Sequence, residues 1–220
     1  MGGSRYGGVL LKAVFLLALA APLLGLAAAF ATRVGLIDWR LAWVSAGAAL
    51  ATLLLSIGDV KRRGLYALVA VLAAGATLYL HMAHRQALAA HPPVHEAASD
   101  WGEPLSFSRV IDSQRARTGA APLAASHASV CDQALSARTQ VAPEVGAAAL
   151  EAAGFTVVGT SPFRIEGTRE GFWFGFTQDA VLRIRPGRTD VRVAGREGRA
   201  DGGEACRLAG QISERLRAAE

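Results

Sequence analysis

The residues most able to do chemistry are charged and lie in the carboxyl-terminal half: Arg164, Glu166, Asp179, Arg183, Arg185, Arg192, Arg196, Arg199 and Asp201. Most of them alternate with apolar residues. Arg164 and Glu166 flank Ile165, Asp179, Arg183 and Arg185 interleave with Ala180, Leu182 and Ile184, and Asp190, Arg192 and Arg196 face away from Val191 and Val193. Period-two alternation would gather these charges on one face of a sheet. Guanidinium forks fit phosphate and carboxylate bidentately, so such a face offers an anion or lipid-headgroup site. The plainer reading is a solvated face laced with cross-strand ion pairs, and the near-equal mixture of arginine and acid favours it. Glu166 and Asp179 could form a carboxylate pair, although pairing with arginine is the stronger reading. The loop from Gly195 to Gly203, with Arg196, Arg199 and Asp201, combines glycines that allow close backbone approach with a fixed charge. Its glycines also suit a simple strand-to-helix turn.

Other chemistry is not legible. The chain has no glycine-rich phosphate loop, no nucleophile elbow and no paired-cysteine metal motif. Ser126-His127 and Ser129 lie near Asp132, but neighbours in sequence seldom form a catalytic triad. His81, His84, His91 and His95 could be considered as metal ligands, yet Pro92-Pro93 interrupts them and no cysteine or carboxylate completes a pattern. No catalytic residue, metal or cofactor is therefore assigned.

The elements that must position these residues follow from hydropathy. Over 220 residues about half are apolar (52%), which excludes a disordered polar chain and a small disulfide scaffold. The net charge of +5 is not a nucleic-acid footprint. Residues 1–84 carry seven cations against two anions, whereas residues 85–220 balance sixteen arginines with sixteen acids. Three apolar stretches, about 13–32, 41–58 and 64–83, are long enough to cross a bilayer. Arg5, Lys12 and Lys61-Arg62-Arg63 place the amino terminus and second loop in the cytoplasm, and three crossings send the rest outside. A cleaved signal peptide is the lesser alternative for the first stretch. With no acid inside any span, a transporter or channel is disfavoured. The expected organisation is a membrane domain over 1–84, a linker over 85–93 and a soluble domain over 94–220. The expected place is the bacterial inner membrane, with the soluble domain in the periplasm or otherwise outside the cytoplasm. The preference for arginine over lysine suggests a high-GC bacterial source.

The soluble domain reads as α+β. Residues 112–144 are rich in Ser, Ala, Arg and Gln with little apolar periodicity, which predicts a long loop. Pro143-Glu144 followed by an alanine-rich stretch ending at Gly154 carries helix start and stop signals. Strands are expected at 155–158, 163–168, 172–185 and 190–196, forming an antiparallel sheet greasy on one side. Leu208, Ile212 and Leu216 at helical spacing predict a final helix that covers this greasy side. Cys131 and Cys206 are the only cysteines. Outside the cytoplasm an even pair favours a disulfide, with two free thiols as the other reading.

Several of these runs resemble a known family. Pro92-Pro93-Val94-His95 with Asp100, Pro104 and Phe107 is similar to the entry of the bacterial domain of unknown function 1499. Arg164-Ile165-Glu166-Gly167-Thr168, Phe174-Gly175-Phe176 and Asp179 to Pro186 resemble its central signature, as does Asp190-Val191-Arg192 leading to Arg196-Glu197-Gly198-Arg199-Ala200-Asp201-Gly202-Gly203. The likeness covers roughly residues 92–217, and residues 108–150 depart from it. It implies an envelope domain, sometimes preceded by membrane spans, without implying a reaction. Two functions are open. One is a non-enzymatic membrane protein whose outer domain binds a partner protein, lipid or cell-wall component. The other is an enzyme of that compartment using Glu166, Asp179 or Asp201 with arginine neighbours on an anionic or ester substrate.

Overall fold

The computed structural model describes residues 23–34, 65–90, 95–118, 131–171 and 174–220, together with isolated positions between 16 and 50. It divides into two compact units, one built on the residues up to Gln86 with 173–175, the other on Ala87–Phe172 and Phe176–Glu220.

In the first unit, residues 23–33 are helical and α1 spans Leu65–Ala89. The expectation of three membrane-spanning helices is not upheld. Among the described residues no helix is long and apolar enough to cross a membrane. The second half of α1 carries Thr77, His81, His84, Arg85 and Gln86, which interrupt its apolar run. The second expected span lies almost wholly outside the described residues.

The second unit is α+β. After α1 come β1 (Glu96–Ala98), α2 (Arg109–Arg117), α3 (Pro143–Ala152), β2 (Thr156–Ser161), β3 (Arg164–Glu170), β4 (Thr177–Arg185), β5 (Arg188–Gly195) and α4 (Glu204–Arg217). The strands form one sheet in the order β1-β5-β4-β3-β2, and every neighbouring pair is antiparallel. Ile165, Ala180, Leu182, Ile184, Val191 and Val193 all lie on one face, where Leu150 of α3 and Leu208, Ile212 and Leu216 of α4 seal them from water. The expected final helix thus covers the expected face. Pro143 opens α3 at a position whose N–H has no helical partner, and Gly154, at a φ of 85°, turns the chain into β2.

Two expectations about the domain need correction. The strand expected from Phe172 begins only at Thr177. More consequentially, the sheet is not covered on one side alone. The stretch expected to be a loop from residue 112 onward starts inside α2, and α2 with its approach segment lies over the charged face. Leu105, Phe107 and Ile111 pack there against Val181 and Ala194 as a second buried cluster. A single inward apolar residue, Ile111, gives α2 almost no hydrophobic period. Its second inward residue, one turn on, is Arg115, buried as a charge partner rather than as a hydrophobe.

Candidate functional site

The register decides which charges meet. On β5 the residues facing α2 are Arg192 and Ala194, followed by Arg196 just past the strand. Ala194 stands opposite Glu96 of β1 and Asp179 of β4. The small Ala194 methyl leaves room above it for the Arg115 side chain, which reaches down from α2. Arg115 Nη1 donates to Asp179 Oδ2 at 3.3 Å and to the Ala194 carbonyl at 3.1 Å. Asp179, fully buried, also accepts two bonds from Arg196. Arg192 Nη2 donates to Glu96 at 2.8 Å and its Nη1 to the Leu105 carbonyl. Both Arg115 and Arg192 lie over the Phe107 ring, their guanidinium carbons 4.9 and 4.7 Å from its centroid.

Glu166 belongs to the same face but not to the same cluster. It stands opposite Val181, while Asp179 stands opposite Thr168. Its carboxylate accepts the backbone N–H of Ser108 at 2.6 Å and the Arg164 Nε at 3.1 Å. The two carboxylates considered as an acid–base pair are therefore bonded to different cations, and each fastens the covering segment to the sheet.

A second cluster lies at the β4–β5 turn. Asp190, also fully buried, receives the Ser136 hydroxyl at 2.7 Å and the guanidiniums of Arg183, Arg185 and Arg188. Asp100 and Glu103 meet these cations from the covering segment. Three arginines face three carboxylates, so the cluster is neutral. Burial alone would raise the Asp190 carboxyl, but the Ser136 hydroxyl and the arginine hydrogen bonds outweigh it and hold the group below its ordinary value.

The third place is the loop after β5. Gly198, Gly202 and Gly203 take left-handed backbone conformations there. Glu197 accepts the Thr177 N–H at 2.9 Å. Arg199 stacks on Phe176 with its guanidinium carbon 3.5 Å from the ring centroid. Asp201 accepts the Gly203 and Ala205 N–H groups, both at 2.9 Å, and so caps the start of α4. Burial pushes the Glu197 and Asp201 carboxyls above their ordinary values and the Arg199 guanidinium below its own.

Of the nine charged residues singled out in the sequence, Asp179, Arg192 and Arg196 share the first cluster, Arg183 and Arg185 the second, and Arg199 and Asp201 the third. Arg164 and Glu166 pair beside the first. Sequence reasoning missed Glu96, Arg115, Glu103, Ser136 and Arg188, and met Asp100 only through the family resemblance; Arg115 left a trace, four residues after Ile111. Cys131 and Cys206 are joined as a disulfide. Among the described residues no group of three or more His, Cys, Asp or Glu is placed to hold a metal ion. Ser126, His127 and Ser129, like His91, lie outside the described residues.

Residues 96–216 match the model of a family of proteins of unknown function, DUF1499. The chain belongs to that family. The matched span opens at the first residue of β1 and closes within the last turn of α4, so it takes in the whole five-stranded sheet and both of its covering layers. No match emerges among curated proteins or solved structures.

Proposed function

We propose that the family domain is a non-catalytic binding module of an oxidising compartment in the bacterial envelope. In this reading it meets a partner protein, lipid or cell-wall component through the rim formed by residues 195–203 and Phe176. The observation that carries the reading is the burial of the sheet-face carboxylates. Glu96, Glu166, Asp179 and Asp190 are each at most 5% exposed and each already bonded to arginine. A general acid or nucleophile must reach its substrate, and these groups instead hold α2 and its approach segment down. The enzyme alternative draws no support from them. The disulfide supports the compartment, since such bonds persist where thiols are not kept reduced. The rim is favoured because its left-handed glycines shape an accessible loop around a stacked arginine.

The test is a photo-crosslinking amino acid at Gly198 of the full chain in cells, with Gly187 in the β4–β5 turn as the control position. A discrete adduct formed from position 198 and not from 187 is expected. No adduct at 198, together with turnover of an anionic ester by the purified chain that Glu166→Gln abolishes, would overturn the reading in favour of an enzyme.

A further inference from the structure

The first unit turns its large apolar side chains outward. In the helix over residues 23–33, Leu23, Leu26 and Phe30, with Val34 just past its end, recur every three or four residues on one side and are 51–67% exposed. The opposite side carries Gly25, Ala29 and Thr32, and Ala29 is buried. The same arrangement recurs in α1. Leu68, Leu72, Tyr79 and Met82 share one exposed stripe, whereas Ala74 and Thr77 across from them are buried. The hydroxyls of both helices close on their own backbones, Thr32 Oγ1 donating to the Ala28 carbonyl at 2.8 Å and Thr77 Oγ1 to the Ala73 carbonyl at 2.9 Å, so neither calls for water. In the second unit α4 has the reverse order, with Leu208, Ile212 and Leu216 inside and Arg207, Gln211 and Arg215 outside, as suits a helix in water. Proteins in water seldom leave contiguous apolar surface of this kind uncovered. Small residues inward and large ones outward suit helices whose surroundings are hydrocarbon, where close backbone approach holds the packing.

Two occupants suit such stripes, lipid acyl chains and a second copy of this chain, and charge separates them. Residues 23–34 and 65–84 contain no Asp or Glu, and residues 1–84 carry seven cations against two anions. Two copies joined through this unit would bring like charges together, whereas anionic phospholipid head groups complement them. We propose that the exposed stripes of residues 23–34 and of α1 rest in the acyl-chain layer of an anionic phospholipid surface. Such seating uses one face of each helix and requires no helix that crosses the bilayer. It is independent of the rim proposed above, which belongs to the second unit.

The test places the purified full chain in vesicles of phosphatidylglycerol and phosphatidylcholine whose acyl chains carry a photoactivatable diazirine. Illumination is expected to leave lipid adducts on Leu26, Phe30, Leu72 and Tyr79, and few on Val158 and Phe163, which are equally apolar and exposed in the second unit. Combining Leu26→Gln, Phe30→Gln, Leu72→Gln and Tyr79→Gln is expected to weaken retention on floated vesicles by about tenfold per side chain. A closed Cys131–Cys206 bond on a non-reducing gel shows that the second unit of this variant has folded; should it not fold, the adduct map of the unaltered chain decides alone. Vesicles without phosphatidylglycerol are expected to hold the unaltered chain more weakly. Phe30 and Tyr79 left unlabelled, as a second copy seated on them would leave them, overturn the proposal. So do adducts spread evenly over these residues, Val158 and Phe163, and equal retention without the anionic lipid overturns the choice of surface.

Discussion

Arg196 holds Asp179 through two parallel hydrogen bonds, Nε to Oδ2 at 2.8 Å and Nη2 to Oδ1 at 2.7 Å. Arg196 itself is fixed because its N–H continues the strand pairing to the Thr177 carbonyl at 2.9 Å. With Arg115 as the third donor, Asp179 becomes the point where helix α2, strand β4 and the end of β5 are tied together. Removing it would leave two guanidiniums without their counterion in a layer closed to water. Asp179→Ala is expected to lower stability by about 3–5 kcal/mol in urea unfolding. Arg196→Lys keeps the charge and loses only the fork, so its loss is expected at about 1–2 kcal/mol. The reverse order would show that the pair is peripheral.

The turn cluster predicts acid sensitivity. Asp190 is held below its ordinary carboxyl value of 3.8 in the folded chain. Its contribution to stability is therefore complete above that value and lost as pH falls through the lower, folded one. Unfolding midpoints measured from about pH 5 down to pH 2 should fall for the native chain. Asp190→Asn should flatten this limb, at the expense of lower stability at neutral pH. An unchanged acid limb in the variant would assign the sensitivity to another carboxyl.

Glu197 has the opposite sign. Burial raises its carboxyl above the ordinary 4.5, so the folded chain favours the protonated form, and stability present below the ordinary value is lost as pH rises through the folded one. Glu197→Gln keeps an oxygen to accept the Thr177 N–H and removes the charge. It should raise the unfolding midpoint at pH 7 and make little difference near pH 4. A lower midpoint at both would mean that the carboxylate's contacts with Arg196 and Arg199 outweigh its burial.

The greasy half of this fold is written in plain period. Val191 and Val193, Leu182 and Ile184, and Leu208, Ile212 and Leu216 declare strand and helix because each turns one apolar face to a common core. The charged half is written less openly. Arg192, Asp179 and Glu166 show the same alternation a solvated face would show, and nothing local says that a second layer lies over them. That layer, α2, has one inward hydrophobe and one inward arginine, so hydrophobic periodicity passes over it. Asp100 and Ser136 reach the turn cluster from 90 and 54 residues before Asp190, contacts that only the folded topology creates. Where the apolar stretches near the amino terminus are described, they depart from expectation for a related reason. Hydropathy reports composition, whereas crossing a membrane requires length and apolarity in the same helix, and among the described residues no helix combines them.

The Cys131–Cys206 bond ties the start of the segment after residue 130 to the first turn of α4 across a separation of 75 residues. Cross-linking so long a loop restricts the unfolded chain by ~4–5 kcal/mol in the chain-entropy account. The Cys131→Ser, Cys206→Ser double variant is therefore expected to lose about 2–5 kcal/mol, and the native chain should migrate faster on a non-reducing gel than on a reducing one. Two titratable thiols in the purified native chain would contradict the bond.

Glu166 offers the sharpest test of what the charged face is for. Its carboxylate takes the N–H of Ser108, the residue just before α2, at 2.6 Å, and Arg164 holds it from the side at 3.1 Å. If the group serves to attach the covering layer, its removal should loosen α2 before it disturbs the sheet, because the core of α3, α4 and the sheet lies on the opposite face. Glu166→Ala leaves a backbone N–H without its acceptor, worth about 1–3 kcal/mol, and local opening to protease scales with that loss. Trypsin should then cut after Arg109 or Arg117, both exposed at the ends of α2, roughly ten times faster than in the native chain. Glu166→Gln, which keeps an acceptor oxygen, should fall between the two. Cleavage that speeds up first within β2 to β5, with α2 unaffected, would show that Glu166 holds the sheet together and does not anchor its cover.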